Sequence, residues 1–231
     1  MRCRAFVLLL LLAAVPARAR ADEPWERVLQ EDGITVTKRD VPARGFPTFR
    51  AVGMIQAPLF DVLAIIGDVP RYPDWQVNCM AARQLKKINE LEYLVYSRVH
   101  APWPVADRDA VYHSNIHVDV RGNLVVDVRF RGVKSELAPP VKGVVRMEKI
   151  RGHFKLTAVA PDKTLMDYQV DADPGGAIPA WLAKWTSRRL PLDTIKTMRA
   201  RVKKTRGSYA ERIKHFQEME RELREAQASK R

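Results

Sequence analysis

The chain has 231 residues, 46% of them hydrophobic, with 40 Lys and Arg against 27 Asp and Glu for a net charge of +13. That composition excludes collagen-like, mucin-like and wholly disordered classes and leaves a globular chain long enough for one large core. Residues 22–183 are balanced in charge. The basic excess beyond them sits in residues 184–231, where 15 basic residues oppose 6 acidic ones without the aromatics or recognition-helix chemistry of a nucleic-acid binder.

At the start of the chain, Arg2 and Arg4 precede an apolar run over residues 5–15 that is too short to cross a bilayer as a helix. Ala17, Ala19 and Ala21 supply an A-x-A cleavage pattern just before Asp22 and Glu23. The pattern predicts a signal peptide over 1–21 and export to the periplasm or the exterior. Cys3 leaves with it, so Cys79 is the lone thiol of the mature chain, read as a small buried hydrophobe.

Residues 25–30 are read as a short helix, and Ile34, Val36 and Lys38 alternate with Thr35, Thr37 and Arg39 as a half-buried strand would. A second strand follows over 49–55. Apolar residues between Pro58 and Gly67 predict a short buried helix opened by that proline. Pro70 and Pro73 then mark a turn-rich connection. From residue 91 the period is two, with strands expected over 91–99, 110–120, 124–130, 144–150, 154–159 and 165–172. Turns such as Arg121-Gly122-Asn123 and Pro161-Asp162-Lys163 favour antiparallel hairpins between them. From Ile178 the period becomes helical, through Trp181, Leu182, Trp185, Leu192, Ile195, Met198 and Val202, with Pro191 expected to kink or break the helix. After Gly207-Ser208, the heptad-like steps of Tyr209, Ile213, Phe216, Glu220 and Leu223 predict an appended surface helix in a basic, charged tail over 207–231.

A curved antiparallel sheet closed by one long C-terminal helix is an α+β, helix-grip architecture. In that frame the chain resembles the START lipid-transfer domains over residues 22–206. The similar stretches are DGITVTKR at 32–39, FRAVGMIQAP at 49–58, the spaced Asp68, Trp75 and Cys79, PWPVADRD at 102–109, KGVVRME at 142–148 and DPGGAIPAWLAKW at 173–185. The resemblance implies a hydrophobic tunnel between sheet and helix that holds one lipid, lined by Trp103, Ser114, Tyr168, Trp181, Leu182 and Trp185. It also implies a gate over 133–142 that carries Leu137 and Val141, although an ordinary Pro-rich connection would read the same way. In sterol-carrying relatives a buried Arg often stands six residues beyond the Arg of the RD pair, and here that position is Ser114. The lipid, whether a sterol, a phospholipid or another hydrophobic ligand, is therefore left open.

Arg108 and Asp109 are read as a structural ion pair that holds the bend after Trp103-Pro104. His113 and His117 on a strand stand about 13 Å apart, too far for one metal ion, and neither a metal nor a cofactor is expected. No G-x-S-x-G, paired-carboxylate or Cys-His arrangement stands out. The expected function is non-catalytic lipid binding and transfer, with transient contact to an anionic membrane and no nucleic-acid partner. The alternative is a helix-grip enzyme, cyclase or hydrolase-like, acting on an apolar substrate.

Overall fold

In the computed structural model, residues 24–41, 46–176 and 180–229 are described, the stretch 180–188 by its backbone alone. The expected signal peptide and the side chains of Trp181, Leu182 and Trp185 lie outside the described residues. Alternating Ile34 and Val36 against Thr35 and Thr37 set the pattern of the sheet: the two aliphatic residues have no exposed surface, while the threonines are half-buried on the other side. Strands β1 (Glu26–Glu31), β2 (Ile34–Arg39) and β3 (Thr48–Ile55) form the first antiparallel meander. Residues 25–30 were expected to be helical, but β1 is a strand. The Asp32-Gly33 pair, both at positive φ (51° and 68°), turns the chain back so that Glu31 faces Ile34, and pairing with β2 overrides the local preference.

Helix α1 (Leu59–Gly67) opens after Pro58 as expected, and a 3-10 turn over Val69–Asp74 follows. Then come β4 (Cys79–Asn89), β5 (Glu92–Val99), β6 (Arg108–Asp119), β7 (Val125–Gly132), β8 (Val145–Arg146), β9 (Ile150–Ala160) and β10 (Lys163–Ala172). Among the described residues these strands make one sheet in the order β1-β2-β3-β10-β9-β7-β6-β5-β4, with β8 paired parallel to the start of β6. β4 has no counterpart in the sequence reading. As an edge strand it pairs on one side only and is exposed over most of its length, so its side chains need not alternate. The strand expected over 144–150 shrinks to the two residues of β8.

Helix α2 (Ala180–Lys204) lies across β2, β3 and β10 with Leu192, Ile195 and Met198 fully buried. Of the kink or break expected at Pro191, the break does not occur: the helix continues through it, because burial of those three side chains outweighs the hydrogen bond that a proline lacks. Gly53 makes the close approach of α2 to the sheet: a Cβ there would stand 2.9 Å from Ile34 Cγ1 and 3.2 Å from Ile195 Cγ2. Helix α3 (Ala210–Ala228) packs back onto α1.

Candidate functional site

The helices cover one face of the sheet, and strand alternation decides which side chains reach it. On β6 these are Ala110, Tyr112, Ser114, Ile116 and Val118, while Asp109, Val111 and His113 point the other way. Rings fill the middle of the covered face. Phe154 stacks on Tyr168 at 4.6 Å, takes the edge of Trp75 at 6.1 Å and meets Phe130 at 5.9 Å; Phe130 in turn meets Tyr112 at 5.6 Å. Tyr72 adds a T-shaped contact to Trp75 at 5.6 Å and donates its hydroxyl to Ile66 O at 2.8 Å. Burial pushes the hydroxyls of Tyr72, Tyr112 and Tyr168 above their ordinary range, so they stay neutral donors. The buried Trp75 Nε1–H has no acceptor among the described residues. Cys79 lies in the same core, its thiol pushed up by burial, as a small hydrophobe would.

Three connections meet at one end of this face, over residues 100–107, 133–144 and 173–176. The buried Arg108 ties two of them together, with its guanidinium on the carbonyl of Ala106, on Pro174 O at 3.4 Å and on Gly175 O at 3.3 Å. Burial lowers its pKa, partly offset by Asp107. Asp109, 1% exposed, is held by Arg146 through Nε at 2.6 Å and Nη2 at 3.0 Å. Contrary to the expected ion pair, the two residues of the RD pair therefore do not bond each other. Asp109 faces Arg146 directly in the β6–β8 register, while Arg108, its neighbour on the strand, is directed elsewhere. Arg146 also donates to Ala138 O at 3.1 Å and Pro139 O at 3.4 Å, which fastens the predicted gate. Asp107 accepts from Arg98 at 2.6 and 3.1 Å. Hydrogen bonding by Arg98 outweighs burial and, with the Ala101 N–H and His100, holds this carboxyl below its usual range.

Of the predicted ligand residues, Tyr168 sits buried in the ring cluster, and Ser114 lies on the covered face between Tyr93 and Phe130 of the neighbouring strands. Trp103, Leu137 and Val141 belong instead to the loop end, where they are 90%, 53% and 40% exposed. Ala138 between them is buried against Tyr96 and Val111 on the outer face. Sequence reasoning missed Trp75, Phe154 and Tyr112 as parts of the interior. It also missed Arg146 as the partner of Asp109, although KGVVRME, the stretch that contains Arg146, was already among the motifs.

Comparison with known proteins places these features. An uncharacterised protein of Pseudomonas aeruginosa is 30% identical over 203 residues, covering 87% of this chain and 97% of its own. The phosphatidylcholine transfer protein of Bos taurus is 23% identical over 179 residues, 75% of this chain and 82% of its own. The crystal structure of a STAR-related lipid transfer protein fragment from Xanthomonas axonopodis superposes with a TM-score of 0.70 at 31% identity, covering 78% of this chain and 98% of that one. The START domain model matches residues 12–208, a span that holds every described strand, α1, α2 and all the loop-end contacts, and the chain therefore belongs to the START domain family.

Proposed function

We propose that the chain binds a single lipid between the covered face of the sheet and its helices and carries it between membranes without catalysing a reaction. The observation that carries this reading is a segregation of chemistry. Every carboxylate of β5, β6, β7 and β10 (Glu92, Asp109, Asp119, Asp127, Asp167 and Asp171) points to the outer face, while rings and aliphatic side chains line the inner one. An enzyme of this fold would need paired acids or an activated nucleophile on the inner face, whereas an apolar surface with a few neutral hydroxyls suits a hydrophobic ligand. Kinship with proteins named for phosphatidylcholine transfer makes that lipid the first to test. Trp103, Leu137 and Val141 supply an apolar tip for brief contact with a bilayer, where Trp favours the interface, and Lys142 beside them favours an anionic one. Export by removal of residues 1–21 would put this activity outside the cytoplasm. Native mass spectrometry of the purified protein should show one lipid per chain. A protein that carries no lipid and takes none from phosphatidylcholine vesicles would overturn the reading.

A further inference from the structure

We propose that α3 is the floor of the lipid-holding interior and that Phe216 and Met219 set the length of the apolar chain it accepts. This rests on the lipid-binding reading above. α3 lies beyond residue 208, where the match to the family model ends, yet it is seated on the rest of the fold. Tyr209 donates its hydroxyl to Asp68 Oδ2 at 2.9 Å and Arg212 reaches Ala64 O at 3.0 Å at one end of the helix, while Arg224 reaches Val120 O at 3.0 Å at the other. Between these anchors Phe216 meets the ring of Phe60 at 5.9 Å.

Under that contact lies a gap of about 10 Å³, walled by Phe60 and Leu63 of α1, Ile116 and Val118 of β6, and Phe216 and Met219 of α3. Glu220 borders it, but its carboxylate is bound by Arg224 at 2.8 Å. A space this apolar offers water no partners and has room for little more than one methyl group, the terminus of a hydrocarbon chain. Its position fits the same occupant. Ile116 and Val118 continue the row of Tyr112 and Ser114 along the covered face of β6, and the other end of that row is Arg108 at the loop end. A chain laid along this row from the loops would therefore terminate against α3. The floor is also the part of the enclosure best able to shift: no residue of α3 is fully buried, whereas Leu192, Ile195 and Met198 of α2 have no exposed surface.

The test is competition binding with phosphatidylcholines of stepped saturated chain length, using the full chain and its variants Met219→Ala, Met219→Phe and Phe216→Leu. Met219→Ala and Phe216→Leu should move the preferred chain to longer homologues and Met219→Phe to shorter ones. About two methylenes gained or lost at the floor should change affinity on the order of tenfold. Thermal melts would check that each variant is folded; Met219 is only half-buried, which leaves room for both of its replacements. Wild type and variants that bind with one common length profile would overturn the assignment of the floor. Failure of the wild type to bind any of the series would instead refute the lipid-binding reading.

Discussion

Asp167 shows how the outer face holds its charges. Burial opposes its ionisation, but His153, with Nε2 3.9 Å away, and the two-pronged Arg50 at 2.8 and 2.6 Å outweigh it and keep the carboxyl at about 2 rather than 3.8. A depressed folded pKa means that the stabilisation is fully present above 3.8 and is lost as pH falls through about 2. The shift corresponds to about 2 kcal/mol. Asp167→Asn should therefore lower stability at neutral pH by roughly that amount and lose little more on acidification through this window, as urea titrations at neutral and strongly acid pH would read. An acid limb as steep as the wild type's would show that Asp167 is not its source. The residue types at such sites are visible in the sequence; their partners are not, since Arg50 and Asp167 stand 117 residues apart.

At the scale of elements, the connection over 133–144 is more than a Pro-rich loop. Its Ala138 is buried and its carbonyls are held by Arg146, which is itself held by Asp109. Removing one partner of such a buried pair costs about 3 kcal/mol or more, because the other charge is left behind. Asp109→Asn should thus destabilise the fold and speed limited proteolysis within 133–144. Arg146→Lys keeps the charge without the fork geometry and should fall between it and wild type. Equal cleavage rates in all three would mean that the pair does not fasten the loop. α1, β2, β3, β5, β6 and β7 follow from local periodicity. β1 and β4 do not: each is an edge strand, with pairing from one neighbour only and no demand for strict alternation.

Over the whole molecule, charge and the loop tip are separated. α2 has 25 residues and so spans about 37 Å. It begins four residues after Gly176 of the loop end, whereas Lys203 and Lys204 lie at its far end and Arg206 just beyond it. Most of the basic excess is on α2; residues 207–231 carry six basic residues against five acidic ones. Several α2 cations are already engaged: Arg189 and Lys196 with Glu31, Arg201 with Asp74 at 2.9 Å, and Arg199 with Met54 O at 2.8 Å. Vesicle flotation should therefore respond to the loop tip and not to the helix end. Trp103→Ala with Leu137→Ala should lower bound protein several-fold, and Lys203→Gln with Lys204→Gln should leave it nearly unchanged. The reverse ranking would place the membrane contact at the end of α2.

Most of the architecture and the family of this protein are legible in the chain alone, because period-two and helical alternation, turn residues and the spacing of short motifs are local properties, whereas the edge strands β1 and β4 are not legible there. Only the folded arrangement pairs Asp109 with Arg146 rather than Arg108, gathers the rings of Tyr72, Trp75, Phe154 and Tyr168 on one face, and seats α3 on α1 with Phe216 against Phe60. Each of these joins residues from distant parts of the chain, and strand register and helix packing, which bring them together, are set by the burial of the core as a whole.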